Sequence, residues 1–367
     1  MKTFKNLMEE IQKPGLCHRC GGCVTFCSAL NYGALELDDN GKPRYKDESK
    51  CIECGICHAI CPEIGELNDE IKQNVDWKPP IGRILELTIA RAKDPQVLKN
   101  ATDGGVVTGL ILKLFDDRLI DGAIVTRPTN RFHREPHLAL TRDEIINAAG
   151  FFFDTSHGMK NYSDKYLTYS TIEAFGAVIK RGVKRLAFVG MPCQIETVRR
   201  MQALSLVPSE TIKYCFGLFC SGNFVFGENQ RKRLSAIGGF EWEDVKKINI
   251  KEDLHIHLKD GTCTRIILDE LEFMKRFACY FCKDYAAELA DISFGGAGAE
   301  DGWTTVAARS SIGKSILTGA KKMVLEECNY ANTVTTAKKA IRIISKLSNQ
   351  KKKAAINSRK ALGFVHK

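Results

Sequence analysis

The sequence predicts a protein of the α/β class (α+β overall), in which a small cysteine-rich module precedes a mixed α/β domain with a mostly parallel sheet. Two observations predict this architecture. One cysteine spacing occurs twice near the N-terminus, and apolar strand and helix patterns alternate along the segment that follows. Apolar residues make up 44% of the 367 residues, which is enough to build a large core.

The repeated spacing reads C-x-x-C-x-x-C-x-x-x-C, the pattern that holds [4Fe–4S] clusters in bacterial ferredoxins. In two-cluster modules the fourth cysteine of each run usually binds the other cluster, so we expect each cluster to take ligands from both runs. The runs therefore predict a ferredoxin-like module that transfers single electrons. The expected ligands are Cys17, Cys20, Cys23 and Cys61 for one cluster, and Cys51, Cys54, Cys57 and Cys27 for the other.

Two other uses of these cysteines fit less well. Zinc would leave part of the thiolates unexplained, and disulfides need an oxidising compartment that nothing in the sequence indicates. The second run ends in Cys61-Pro62, as the pattern expects, whereas the first ends in Cys27-Ser28. Gly21, Gly22 and Gly55 would let backbone amides approach the cluster sulfides closely.

Three parts are expected along the chain. Residues 1–76 form the ferredoxin-like module, and residues 77–80 read as a linker because paired prolines break helices and strands. Residues 77–328 form the α/β domain, and residues 329–367 form a basic helical tail. The formal net charge is +10, and the tail carries much of it. A solvated helical face and a docking surface for an acidic partner both remain open for this tail.

The composition limits the compartments and partners that we consider. No apolar run reaches the roughly 18 residues that a membrane helix needs, and no apolar signal core follows the first residues. We therefore expect a cytoplasmic protein without a transmembrane segment, either free or bound through a partner complex to the inner face of a membrane. The basic segments lack interleaved aromatic residues, so no nucleic-acid partner is expected.

The order of strand and helix patterns favours parallel strands in the α/β domain. Helices are predicted over residues 106–115, 172–180 and 194–202, and buried strands over residues 122–126 and 185–190. Residues 254–268 read as an inserted hairpin with a turn at Asp260-Gly261. His255 and His257 share one face of an expected edge strand. Histidine pairs can bind metal, but we interpret these two as ordinary surface residues.

Seven cysteines lie outside the two runs. Cys193 follows a predicted strand, Cys220 ends an apolar run, and Cys279 and Cys282 form a C-x-x-C pair. Strands of a parallel sheet end at a common crevice, so these four could hold a third [4Fe–4S] cluster. Ordinary buried cysteines are the alternative, and both remain open from spacing alone. The bystanders would then be Cys215, Cys263 and Cys328.

Two glycine-rich segments could approach a phosphate. Residues 102–105 precede an apolar helix whose N-terminal amides favour an anion, although an ordinary helix cap looks the same. Residues 293–302 lead into a predicted strand, and a dinucleotide fingerprint needs a helix there, so we exclude a standard Rossmann NAD site. Gly313-Lys314-Ser315 is not a P-loop, because Ala308 stands where that motif needs glycine.

With these segments, the chain resembles the beta subunits of coenzyme F420-reducing hydrogenases, F420-dependent formate dehydrogenases and F420-oxidising dehydrogenases of methanogenic archaea. The resemblance runs from about residue 14 to about residue 325. It implies a domain that binds FAD and oxidises or reduces coenzyme F420, and it makes Cys193, Cys220, Cys279 and Cys282 the expected ligands of a third cluster. The matching segments are the two cysteine runs and residues 102–108, 190–194, 218–221, 279–284, 288–293 and 295–303.

The resemblance also implies a path for electrons. Reduced coenzyme F420 would give a hydride to FAD, and single electrons would pass through the third cluster to the two N-terminal clusters. Arg127, Arg131 and Arg134 are candidates to bind the anionic tail of the coenzyme, although an ordinary solvated loop is the alternative. Residues 151–157 are unusually aromatic for the family. The expected FAD contacts are Thr102, Asp103, Gly104, Gly105, Thr108, Asn223, Ser293, Gly295, Gly296, Asp301 and Trp303.

The N-terminal module favours an electron-input subunit over a bare hydrogenase beta subunit. Its partner would be a membrane F420 dehydrogenase, a heterodisulfide or sulfite reductase, or soluble ferredoxin. Three alternatives remain: reduction of coenzyme F420 by ferredoxin, a beta subunit of an F420-linked formate dehydrogenase or hydrogenase, and a flavin-free electron-wire subunit.

Overall fold

A computed structural model describes residues 2–363, except residues 31, 39, 131–132, 151–156, 160–165, 169–180, 208 and 329–332. The helix predicted over residues 172–180 lies outside the described residues, as do Arg131 and most of the aromatic segment at 151–157.

Short elements wind around the two cysteine runs in the N-terminal part. Gly21 and Gly55 stand immediately before the short helices Gly22–Val24 and Ile56–Ala59. Their φ angles of 82° and 75° are in the left-handed region, which glycine adopts without strain. The elements are helices α1 (Phe4–Leu7), α2 (Gly22–Val24), α3 (Ile56–Ala59) and α4 (Asn68–Asn74), π-helical turns Met8–Gln12 and Thr25–Leu30, the 3-10 turn Glu48–Lys50, and the antiparallel strands β1 (Leu35–Leu37) and β2 (Pro43–Tyr45).

Strands and helices then alternate through the larger part of the chain. The strands are β3 (Glu86–Ala92), β4 (Gly122–Asn130), β5 (His133–Ala139), β6 (His157–Met159), β7 (Tyr166–Thr168), β8 (Leu186–Gly190), β9 (Ile212–Leu218), β10 (Val245–Ile250), β11 (Asp253–Leu258), β12 (Cys263–Ile267), β13 (Ile292–Gly295), β14 (Thr304–Ala308) and β15 (Leu325–Glu327). The described helices are α5 (Pro95–Asn100), α6 (Val106–Asp116), α7 (Arg142–Asn147), α8 (Pro192–Ala203), α9 (Glu228–Gly238), α10 (Ser311–Met323) and α11 (Thr333–Ala361), and the 3-10 turns are Ser209–Thr211, Trp242–Asp244, Leu268–Met274 and Phe277–Phe281.

Eight strands form one mixed sheet in the order β15-β3-β14-β13-β9-β8-β4-β5. The four neighbours β13, β9, β8 and β4 run parallel, and the strands on either side of them pair antiparallel. The mixed α/β class is confirmed, but the parallel part is confined to these four central strands. The links between β4 and β5 and between β13 and β14 are too short for a parallel crossover, which needs a dozen or more residues.

Apolar side chains cover both faces of this sheet. Leu110 of α6 and Leu317 of α10 are fully buried on one face. Ile195 of α8 is buried on the other face, in the same apolar cluster as Ile60 and Ile71 of the N-terminal part. Helix α8 therefore lies between the sheet and the cysteine-rich module and joins them through a shared core.

Strands β10, β11 and β12 form a separate antiparallel sheet, which confirms the predicted hairpin. The hairpin strand that carries the two histidines is the middle strand of this sheet, so its prediction as an edge strand was wrong. His255 is correspondingly buried, with 8% of its surface exposed, rather than lying on the surface.

Helix α11 packs against the rest of the chain instead of projecting as a freely solvated face. Ala340 and Ile344 are fully buried, in clusters that include Ile89 and Tyr285. None of the described helices combines the length and apolar character that a bilayer-spanning helix requires.

Gly22 sets how closely the cysteine module approaches helix α8, because a Cβ atom there would lie 2.3 Å from Cγ2 of Thr197. We expect Gly22→Ala to lower the free energy of unfolding by ~1–3 kcal/mol through overpacking. Adding Thr197→Ser to this variant should restore the free energy of unfolding, since serine lacks the colliding Cγ2 atom and keeps the hydroxyl. The thermal midpoint of anaerobic holoprotein would measure both changes. A double variant no more stable than Gly22→Ala would contradict this packing.

Candidate functional site

A deep cleft opens where the four parallel strands end. Val125 of β4, Gly190 of β8, Leu218 of β9 and Phe294 of β13 all contribute to its wall. The cleft contains about 1400 Å³ of space, including its open mouth. Crevices at the carboxyl ends of parallel strands are common sites for small-molecule ligands.

The N-terminus of helix α6 faces this cleft. Its first residues, Val106, Val107 and Thr108, line the wall. The residue before them, Gly105, has a φ of 67° and gives the helix no side-chain cap. The first amides of a helix have no partner within it, and together with the helix dipole they form a ready site for a phosphate group.

One side of the cleft is supplied by β10 and the residue after it, which the sequence reasoning missed. Asn249 donates a hydrogen bond from Nδ2 to Oδ1 of Asp103 at 2.8 Å. Lys251 Nζ lies 3.7 Å from the same carboxylate and 2.9 Å from Asp301. Burial raises the pKa of Asp103, although Lys251 and Lys247 act in the opposite direction. The alternation of Lys247, Asn249 and Lys251 is the signal in the sequence, since alternate strand residues share a face.

Six of the expected FAD contacts lie on the cleft wall: Thr102, Asp103, Gly105, Thr108, Gly295 and Gly296. Gly104 lies behind it, where its amide donates to Oγ1 of Thr304 and a Cβ atom would meet the Ala90 carbonyl oxygen at 2.6 Å. Ser293 is fully buried and accepts a hydrogen bond from Nε of Arg309.

The remaining three expected contacts also lie off the wall. The amide of Asn223 donates to Sγ of Cys279 at 3.2 Å, so this residue belongs to the neighbouring cysteine set. The ring of Trp303 lies 4.7 Å from the Arg91 guanidinium carbon. Asp301 is half-exposed and forms an ion pair with Lys251, which lines the cleft.

The eight N-terminal cysteines gather in the two predicted sets of four. We name them the first set, Cys17, Cys20, Cys23 and Cys61, and the second set, Cys27, Cys51, Cys54 and Cys57. Each set lines its own small cavity. Both sets take their fourth cysteine from the other run, as the ferredoxin pattern predicts.

A third set forms where Cys193, Cys220, Cys279 and Cys282 converge. Burial raises the pKa of the Cys193 thiol well above its ordinary value, and the neighbouring thiols of Cys20, Cys282, Cys220 and Cys279 raise it further. Cys279 is buried and the other three are half-buried, and four soft donors in one place suit iron–sulfur ligation. Cys220 also lines the cleft, so the third set adjoins it directly.

The three sets stand in a fixed spatial order. Cys193 begins helix α8, and the hydroxyl of Thr197 one turn later lies 3.3 Å from Sγ of Cys20 in the first set. Burial raises the pKa of Cys23, and Cys57 of the second set is among the thiols that add to this. The order is therefore cleft, third set, first set and second set.

The other cysteines and the candidate arginines have structural roles or lie elsewhere. Arg134 is buried and donates from Nη2 to the carbonyl oxygens of Thr126 and Ala148, so it is not a surface residue that could receive a coenzyme. Arg127 pairs with Glu135 at 2.6 Å. The bystander cysteines are Cys215 and Cys328, which are buried, and Cys263, which is exposed.

His255, His257 and Cys263 place potential metal-binding atoms within 4.8 Å of one another. Burial lowers the pKa of both imidazoles, and Lys251 lowers it further in each case. We assign no metal to this group, because nearby cationic side chains repel a divalent ion.

Three family models match the chain. Two of them describe the coenzyme F420 hydrogenase/dehydrogenase beta subunit. The model of its N-terminal part matches residues 87–161, and the model of its C-terminal part matches residues 183–333. A 4Fe-4S dicluster domain model matches residues 9–62.

Named relatives cover most of the chain. The coenzyme F420 hydrogenase subunit beta of Methanothermobacter thermautotrophicus is 33% identical over 292 residues, which are 77% of this chain and 98% of that protein. The F subunit of the F(420)H(2) dehydrogenase of Methanosarcina mazei is 25% identical over 353 residues, or 94% and 91% of the two chains. A chain of the F420-reducing [NiFe] hydrogenase complex from Methanosarcina barkeri has the same fold, with a TM-score of 0.66 at 24% identity over 78% of this chain and 94% of that one.

Proposed function

Since the chain belongs to the family of coenzyme F420 hydrogenase/dehydrogenase beta subunits, we propose that it is an FAD-dependent subunit that oxidises reduced coenzyme F420. Its 4Fe-4S dicluster domain gives it a role in electron transfer. The observation that carries the proposal is the direct contact between the cleft and the third cysteine set at Cys220.

The residues of the cleft fit a flavin dinucleotide. The uncapped start of helix α6 would bind the diphosphate, and the apolar wall would accept the ring system. When bound, FAD would accept a hydride and release its two electrons one at a time. Phe219 and Tyr285 line the cleft with their ring centroids 5.6 Å apart, and the amide of Cys220 donates to the Tyr285 carbonyl oxygen. These two rings would exclude water next to the third set.

The three cysteine sets would hold three [4Fe–4S] clusters. The order of the sets favours a single path, from the cleft through the third and first sets to the second. Beside the second set, Ile52 has 60% of its surface exposed. An exposed apolar residue next to the last set is suited to a docking partner. We propose that a partner redox protein accepts electrons there, as the names of the relatives suggest.

The positive face of β10 and β11 would bind the phosphate and glutamate tail of coenzyme F420. Lys247 lies opposite His257 in the strand pairing, and Lys251 lines the cleft. Paired residues of antiparallel strands share a face, so Lys247 and Asn249 face the same way as His257 and His255. We propose this face as the binding site for the anionic tail, in place of Arg127 and Arg134 of the β4–β5 hairpin.

Anaerobically purified protein should contain FAD, and reduced coenzyme F420 should bleach its flavin absorbance in stopped-flow mixing. An equal concentration of NADH should bleach it far more slowly, because the glycine-rich segment at 293–302 leads into a strand and forms no standard Rossmann NAD site. Cluster absorbance should then fall after the flavin signal. Protein that carries its iron but no FAD would contradict the proposal.

Cys279→Ser should remove the cluster of the third set alone. Iron content should fall from about twelve to about eight atoms per chain, because each cubane has four irons. Cys263→Ser is the matched control, since Cys263 is an exposed cysteine outside all three sets. Elemental analysis and electron paramagnetic resonance would measure the loss. A Cys279→Ser protein with undiminished iron would exclude Cys279 as a ligand.

Lys247→Gln should raise KM for reduced coenzyme F420 about fivefold, with a smaller effect on kcat, because a rim charge contributes ~1 kcal/mol to binding. Lys246→Gln makes the same change of charge at an exposed neighbouring position and should leave KM unchanged. Steady-state kinetics at two salt concentrations would compare the two variants. The difference in KM between Lys247→Gln and wild type should shrink at high salt, because salt screens the charge of Lys247. Equal KM values in both variants would rule out this face as the tail site.

A further inference from the structure

Helix α11 places a lysine against the third cysteine set. Nζ of Lys351 donates to the carbonyl oxygen of Cys220 at 2.6 Å and to that of Asp284 at 2.8 Å. The ammonium group of lysine is positively charged and donates hydrogen bonds. These two contacts therefore hold a positive charge beside Cys220 and the loop of Cys282.

Two further residues of the same helix hold it in place. Lys352 Nζ lies 2.7 Å from Oε1 of Glu288, whose other carboxylate oxygen accepts a hydrogen bond from the Trp77 indole. Farther along α11, Arg359 pairs with Glu63, close to the first set. The helix thus joins the linker, the α/β domain and the cysteine module, and Lys351 is held by these anchors.

A cluster held by four thiolates gains one negative charge when it is reduced. A positive charge in a dry environment nearby stabilises the reduced form more than the oxidised form, and this raises the reduction potential. The effect requires the cation to be close to the cluster and partly withdrawn from solvent, and Lys351 is half-buried and bonded to the backbone of the third set. Lys353, two residues farther along the helix, is exposed and lacks this position.

We propose that Lys351 is a positioning residue that raises the reduction potential of the third cluster and so favours electron transfer out of the cleft. The inference rests on the proposed function, because it requires a cluster in the third set. The family models end at residue 333, so this helix lies outside the matched segments. The C-terminal helix would then be a part of the electron path rather than a docking tail.

Redox titration of the anaerobic full-length protein, followed by electron paramagnetic resonance, tests this. We expect Lys351→Met to shift the potential of the third cluster to more negative values by at least a tenfold change in equilibrium constant, or 59 mV for one electron. Lys351→Gln should show a similar shift, although glutamine can still donate to the carbonyl oxygens. Lys351→Arg should keep the potential near that of wild type, and Lys353→Met is the matched control.

The glutamine variant separates a role of the charge from a role of the hydrogen bonds. A wild-type potential in Lys351→Gln would overturn the proposal, as would an equal shift in Lys353→Met. If both neutral variants lose the iron of the third cluster, the lysine supports the ligand loops and the proposal is likewise wrong. Wild-type protein with only two clusters would instead refute the proposed third cluster, and the iron content of wild type distinguishes that outcome.

Discussion

The packing of helix α8 between the sheet and the cysteine module is the contact on which the rest of the arrangement depends. Its first turn carries Cys193 of the third set, and its second turn brings Thr197 within 3.3 Å of Cys20 in the first set. One helix therefore fixes the separation of two cysteine sets that lie far apart in sequence. Gly22 allows this approach, because a larger residue would collide with Thr197.

Buried positive charge is the second constraint. Sets of thiolates are costly to bury unless cations or hydrogen-bond donors accompany them. Lys351 lies beside the third set, and the buried Arg276 donates to the carbonyl oxygen of Cys17 in the first. Burial lowers the pKa of Arg276, while the thiols of Cys279, Cys17 and Cys193 oppose this effect. Part of the basic composition therefore faces inward, toward the cysteines.

The sequence predicts best where the ligands follow a local spacing. The exchange of Cys27 and Cys61 between the first two sets could be predicted, because a short repeated motif encodes it. The third set could not be derived from spacing, since its members are spread over residues 193–282 and only the fold brings them together. Arg134 was interpreted as a possible loop residue, but it lies on β5, and nothing local in the sequence reveals that its side chain donates to buried carbonyl oxygens.

The cleft shows why four parallel strands are enough for the site. The neighbours β4, β8, β9 and β13 end at one edge of the sheet, and the cleft opens at that edge with helix α6 beginning beside it. The antiparallel flanking strands extend the sheet and bury its core. The separate sheet that carries Lys247 closes the remaining side. The alternation of polar residues along β10 indicates a polar face, but it does not reveal that this face lies at the cleft, because the partner of Asn249 is Asp103, 146 residues earlier in the chain. If this sheet binds the tail of the coenzyme as proposed, its residues could change without disturbing the cysteine sets, because it is separate from the eight-stranded sheet.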